Sequence, residues 1–257
     1  MRLAVLLAAG AAALAGTAAP ANADTSISSN WAGYAATGTA ANGAPTSFSV
    51  VSGTWVQPAV RCTPGQPSYS SFWVGLGGFD EFSQALEQVG TDADCSADGT
   101  AAYGVWYELV PDFAVHVHLR LSPGDRVNAV VVVHGNHVIV RLRNLTRGTV
   151  FTRTVKASAL DLTSAEWIAE APSNCDGTGC TILPLADFGT VAFSAAAALG
   201  DGHAAPLSSW TVTPIELFAG DRLSPAPTST GALPSPVGAD GGSFSISYSD
   251  ELANPAP

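Results

Sequence analysis

Residues 164–172 read SAEWIAEAP and set two glutamates, Glu166 and Glu170, in an apolar run. A buried carboxylate is costly unless something pairs with it or uses it. On an extended strand, alternate side chains share a face, so Glu166, Ile168 and Glu170 point the same way, and the Cα atoms of the two glutamates stand about 13 Å apart. At that distance they cannot act on one bond as a pair. One of them needs a partner from another strand, and residue types alone offer Glu108 in YGVWYELV. Two glutamates in a groove are the equipment of a glycoside hydrolase. The plainer alternative is that each is a solvated or hydrogen-bonded strand residue.

Other chemistries find less support. The chain has no Gly-x-Ser-x-Gly and no Asp-Thr-Gly or Asp-Ser-Gly. His116 and His118 share a strand face, and His134 and His137 flank a turn, so the two pairs would bind zinc only if they converged. The sequence VHVHLRL reads more simply as an amphipathic strand with His116, His118 and Arg120 facing water. No metal and no cofactor is expected.

The elements that would position these residues are strands. Short β-rich runs, among them FSVVSGTWVQP, SFWVGLGG, VNAVVVVH and HVIVRLR, recur at roughly ten-residue spacing between Gly, Pro, Asn and Asp. The pattern predicts an all-β antiparallel sandwich or barrel. HGNH predicts a tight hairpin on Gly135-Asn136. Only SAAAALG at 194–200 suggests a helix, and 223–242 reads as a long loop returning to the sheet. In SFWVGLGG, Phe72, Val74 and Leu76 form one face; Trp73, Gly75 and Gly77 form the other and predict open space over the sheet. Trp106 and Glu108 share a face in the same manner. Tryptophan, carboxylates and glycine on a concave sheet face make a credible groove for an extended polymer, which a non-catalytic sugar- or peptide-binding sandwich would use as readily as a hydrolase.

Composition narrows the setting. Arg2, the apolar run Leu3–Leu14 and Ala21-Asn22-Ala23 read as a secretory signal over 1–23, leaving one domain over 24–257 and a secreted protein. No other stretch predicts a membrane span. The remaining chain sets nine basic residues against 21 acidic ones, a formal charge of −12, which argues against nucleic acid and anionic membranes as partners. With 12% charged residues there are few ion pairs to lose in acid. The four cysteines read as two disulfides. Cys175 and Cys180 enclose DGTG and can close locally, which leaves Cys62 for Cys95. A four-thiolate zinc site lacks any Cys-x-x-Cys spacing.

Nine segments in order resemble the glutamic peptidase (eqolisin) family of pepstatin-insensitive acid endopeptidases. They are SSNWAGY (28–34), GTWVQP (53–58), WVGLGG (73–78), LEQVGTD (86–92), WYELVP (106–111), SPGD (122–125), NLTRG (144–148), AEWIAEAP (165–172) and ADFGTVAF (186–193). The resemblance, to a bacterial-type secreted member, implies a concanavalin/lectin-like jelly-roll sandwich with a concave substrate groove. It implies a monomer acting on polypeptide.

It also implies roles. Glu170 becomes the catalytic glutamate and Glu166 a supporting residue. Gln88 becomes its partner, while Trp73, Glu108, Trp106 and Asp92 line the substrate site. As a carboxylate, Glu170 would take a proton from the attacking water and pass it to the departing amine. Gln88 would donate to the oxyanion at any pH. Strand parity then sends Glu87 away from the groove. An ionised base would place activity near or below the ordinary glutamate range. Three positions depart from the fungal pattern: Glu87 replaces an aliphatic residue, and Gly77 and Gly104 replace aspartates.

Overall fold

The computed structural model describes residues 24–176, 179–219 and 228–253. The expected leader, 1–23, lies outside the described residues. In chain order the strands are β1 (Ser26–Ser28), β2 (Trp31–Thr37), β3 (Phe48–Val56), β4 (Ser71–Leu76), β5 (Leu86–Cys95), β6 (Ala101–Val110), β7 (Val115–Val117), β8 (Arg126–His134), β9 (His137–Asn144), β10 (Thr149–Lys156), β11 (Ala165–Glu170), β12 (Ser173–Asp176), β13 (Gly179–Ile182), β14 (Thr190–Gly200), β15 (His203–Pro206), β16 (Thr211–Ala219), β17 (Thr228–Pro234) and β18 (Phe244–Ala253). No α-helix occurs among the described residues.

One hydrogen-bonded path runs β10-β9-β8-β3-β14-β18-β17-β16-β2-β11-β4-β5-β6-β7, with β1 on β16 and β15 on β14. Every pairing is antiparallel except that of β1 with β16. The path folds back on itself: β3 and β8 pack on β4, and β11 packs on β3 and β14. The expected sandwich is therefore a single sheet folded into two layers.

Alternation explains the layers. On β11, Ala165, Trp167 and Ala169 enter the main core with no exposure, against residues such as Val74, Val131 and Phe193. The two large buried indoles at the interface also satisfy their polar atoms across it. Trp167 Nε1 donates to the Ser52 carbonyl at 2.8 Å, and Trp55 Nε1 donates to Thr91 Oγ1 at 3.1 Å. The disulfides join Cys62 to Cys95 and Cys175 to Cys180, as the spacing indicates. The β8–β9 hairpin turns on Gly135-Asn136, with His134 opposite His137.

Three expectations need correction. SAAAALG is not helical; it belongs to β14, hydrogen-bonded to β3 and β18, with Ala196 and Ala198 buried. Pairing on both edges outweighs alanine's helical propensity. A register shift between Ser194 and Ala197, with Ala195 at φ 51°, absorbs the irregularity. Of VHVHLRL only Val115–Val117 is strand. Within 223–242, Thr228–Pro234 is strand β17, not loop, while 220–227 lie outside the described residues.

Gly75, Gly77 and Gly90 do not leave open space over the sheet. A Cβ on Gly90 would fall 2.5 Å from the Phe72 carbonyl oxygen and 2.6 Å from Trp73 Cβ. One on Gly75 would meet Leu86 Cδ1 at 2.9 Å and Trp73 Cζ3 at 3.0 Å. These glycines are slots: the β4 backbone and the Trp73 side chain close on Gly90, and Leu86 and the Trp73 ring close on Gly75. Gly90→Ala should cost about 2–3 kcal/mol by overpacking and lower the unfolding midpoint by about 4–12 °C. Gly104→Ala, whose nearest neighbour is Asp92 Oδ2 at 3.2 Å, should cost much less. Equal midpoints for the two variants in a thermal melt would contradict the slot account.

Candidate active site

Three cross-strand rows build the face opposite the main core. The first row is Glu166, Gly75, Gln88 and Glu108, on β11, β4, β5 and β6. The second is Gly33, Ile168, Trp73, Gly90 and Trp106, beginning on β2. The third is Trp31, Glu170, Ser71, Asp92 and Gly104. All the sequence-indicated residues, Gln88, Glu170, Trp73, Glu108, Trp106 and Asp92, thus share one face. Glu87 is in register with Leu76 and Leu109 and lies on the main-core side.

A second apolar cluster of Trp73, Leu86, Trp106, Ile168 and Ile215 fills the middle of this face. It separates the two glutamates of β11. Glu166 has no exposure, whereas Glu170 is half-buried and reaches solvent. Trp73 Nε1 donates to Glu170 Oε2 at 2.7 Å, and Asn30 Nδ2 donates to Glu170 Oε1 at 3.1 Å. Trp31 meets Trp73 edge to face, with ring centroids 5.0 Å apart. Beside them, Ser28, Asn30, Trp31, Gly78, Phe79 and Ile215 line a cleft of about 480 Å³.

Gln88, 4% exposed, donates through Nε2 to Glu108 Oε2 at 2.6 Å. The direct contacts therefore join Glu170 to Trp73 and Gln88 to Glu108; they do not join Gln88 to Glu170. Trp73 stands between the two, its ring edge over Gly75 next to Gln88. Asp92 accepts from Ser71 Oγ at 2.9 Å and lies 3.6 Å from His116 Nδ1. Asn30, Trp31, Ser71 and His116 were not singled out for the site by sequence reasoning. The available signal for the first two was the segment SSNWAGY, whose strand register sets Trp31 against Glu170.

Desolvation dominates the electrostatics. Burial pushes Glu170 up to about 7, opposed by the Trp73 and Trp31 indoles, raised further by the charge of Glu108, and opposed again by Asn30. Burial also raises Glu108, against hydrogen bonds from Gln88 and the Ala114 amide. Asp92 is pushed up to about 6 by burial, against the bond from Ser71 and the proximity of the Trp106 indole. Asp94 is pushed up to about 7 by burial and by Asp92. The groove thus holds protons well above the range of free carboxyls.

Two of the fungal departures acquire a physical reason. Gly77 has φ +82°, and its Cβ would fall 2.5 Å from the Asp161 carbonyl oxygen, so no aspartate fits there. Gly104 leaves room that the His116 imidazole flanks, 3.7 Å from its Cβ position.

Comparison with known proteins identifies the family. The Peptidase A4 family model matches residues 29–230. The chain belongs to the peptidase A4 family. It is 31% identical over 212 residues to Aspergillopepsin-2 of Aspergillus niger, covering 74% of this chain and 71% of that one. Scytalido-glutamic peptidase, solved with a peptide-based transition state analog, superposes with TM-score 0.66 at 26% identity, covering 86% of this chain and 98% of its own. Aspergilloglutamic peptidase from Aspergillus niger gives TM-score 0.55 at 29% identity, covering 71% and 99%. This A4 peptidase is a glutamic endopeptidase, and membership removes the ground for the glycoside-hydrolase and non-catalytic alternatives.

One feature of this A4 chain bears on stability. Glu87 and Glu166 are both fully buried, and none of their four carboxyl oxygens has a hydrogen-bond partner. Burial, then Asp161, pushes Glu87 up to about 8. Burial also raises Glu166, and Asp161 and Glu87 raise it further. Folded-state values above the unfolded ones mean that the stability is complete below the ordinary glutamate range. It is lost at about 1.4 kcal/mol per pH unit per group as pH rises from the unfolded value to the folded one, and the loss levels off above that. Protons held by these two groups therefore favour the fold in acid relative to neutral pH, whatever the scarcity of ion pairs. Glu87→Gln should raise the unfolding midpoint at pH 7.5 by several degrees, about 2–4 °C per kcal/mol, and leave it nearly unchanged at pH 4. An equal shift at both pH values in parallel melts would contradict the assignment.

Proposed function

We propose that this peptidase is a secreted endopeptidase of mild acid in which Glu170 activates the attacking water and Gln88 stabilises the oxyanion. The observation that carries the reading is that, of the two glutamates on the groove face of β11, only Glu170 reaches solvent while held by indole and amide donors. Those donors favour the carboxylate, the form a general base needs. Gln88 keeps an amide donor whatever the pH; in the free groove Glu108 occupies it, and a tetrahedral oxyanion would take Glu108's place. Trp73, Trp106, Glu108 and Asp92 bind substrate around the pair. The chemistry calls for no cofactor, and the partner is a polypeptide taken by a monomer. The signal at 1–23 and the two disulfides support secretion. The departures at Glu87, Gly77 and Gly104 support a bacterial-type member.

Because burial lifts Glu170 to about 7, the expectation of activity at or below the ordinary glutamate range moves upward. A base with its value near the working pH transfers protons most effectively. Acid lowers the ionised fraction, so kcat/KM should fall as pH drops through Glu170's value. Trp73→Phe removes a donor to the carboxylate and should shift that acidic limb upward by about one pH unit or more. A limb that stays in place or moves down would contradict the role of Glu170.

Peptide hydrolysis by purified variants tests the assignment, with pepstatin expected to leave the wild type active. Glu170→Gln should lower turnover by about 10² to 10⁴. Gln88→Ala should lower it by a similar order, since an oxyanion donor is worth about 3 kcal/mol. Gln88→Glu should leave only residual activity, shifted to lower pH where the new carboxyl holds a proton. Glu166→Gln should cost far less. Loss of cleavage in Glu166→Gln with Glu170→Gln intact would overturn the roles.

A further inference from the structure

The strands that carry the groove face, β2, β4–β7, β11 and β16, hold a single basic residue, His116. It is in register with Trp106 and therefore points to the groove side. Its side chain is 73% exposed, while that of Asp92, 3.6 Å away, is 13% exposed. Gly104 contributes no side chain beside them, so the imidazole stands in open space at the end of the groove. Asp92 occupies the row of Glu170 with Ser71 between them, two strand spacings or about 10 Å away. An extended peptide crosses that distance in about three residues.

The charges around His116 favour a ligand from outside the chain. Imidazoles take up a proton in acid. The titratable groups facing His116 are Asp92 and Asp94 of β5, with Glu108 two residues from its register partner Trp106. All three are raised by burial, to about 6 for Asp92 and about 7 for Asp94, which favours their neutral forms. At the groove end, with its side chain 73% exposed and beside carboxyls that burial raises toward their neutral forms, the imidazole is open to a further partner from a bound peptide. Resting on the peptidase reading, we propose that His116 is a specificity residue that takes an anionic side chain of the substrate about two to four residues from the scissile bond.

The test uses pairs of peptides that differ only in carrying cysteic acid, anionic throughout, or glutamine at one position two, three or four residues to either side of the cleaved bond. The ratio of kcat/KM within each pair is read for wild type, His116→Gln and His116→Lys at pH 5 and pH 7. Because the ratio is internal to each variant, a change in the amount of folded enzyme cancels. At one position the wild type should favour cysteic acid by about 5–10-fold at pH 5, and the ratio should shrink at pH 7. His116→Gln should bring it near one at both pH values. His116→Lys should keep it at both, because an ammonium remains charged. Ratios near one throughout the wild-type series, or a preference undiminished in His116→Gln, would overturn the proposal while leaving the peptidase reading intact. Failure of the wild type to cleave either member of any pair would overturn both.

Discussion

The Trp73–Glu170 hydrogen bond is the contact on which the site is organised. It can form only because Trp73 is fixed. The indole is fully buried, slotted between Gly75 and Gly90, and packed edge to face on Trp31. Neither slot tolerates a Cβ without displacing the ring or backbone. The bond therefore imposes residue choices on three neighbouring strands and on β2. A ring held this way delivers its Nε1 to Oε2 at 2.7 Å and leaves the Glu170 carboxyl little freedom. Pre-organised donors of this kind spend no reorganisation energy during the reaction.

The same packing sets the protonation of the whole face. Apolar rings that immobilise Glu170 also exclude water from Glu108, Asp92 and Asp94, and each carboxyl is pushed toward its neutral form. Two carboxyls, Glu87 and Glu166, go further and lie in the interior without partners. Asp161, whose charge raises both, behaves oppositely. Burial acts against its ionisation, but the hydroxyls of Ser83 and Thr163 and the amides of Thr163 and Gly78 outweigh it and hold Asp161 below the usual range. A fixed anion beside protonated glutamates makes their ionisation costlier still. The raised carboxyls of the groove and of the interior thus share one cause, desolvation on and beneath a tryptophan-rich sheet face.

Strand parity made much of this legible from sequence. The alternation in AEWIAE places Trp167 inside and both glutamates on the groove side, and the spacing of the cysteines gives both disulfides. Parity could not separate Glu166 from Glu170, because it assigns them one face; the difference arises from Leu86, Trp73 and Ile168 closing over one end. Gln88 carries no local signal and entered through resemblance to the family. Gly75 and Gly77 misled as open floor because Leu86 and the Trp73 ring fill the space at the first and Asp161 fills it at the second. SAAAALG misled because its strand conformation is imposed by β3 and β18, far along the chain. His116 read as a solvated strand residue, and only the β6–β7 register brings it to the groove beside Asp92.

The central claim is that Glu170 and Gln88 converge on one tetrahedral centre. A crystal structure of this protein with a peptide bearing a non-hydrolysable tetrahedral hydroxyl in place of the scissile carbonyl tests it most directly. The account predicts a Glu170 carboxyl oxygen and Gln88 Nε2 both within about 3 Å of the tetrahedral oxygens, with Gln88 released from Glu108 and Trp73 still bonded to Glu170. A tetrahedral centre held by Glu108 or Glu166, with Glu170 out of reach, would contradict it.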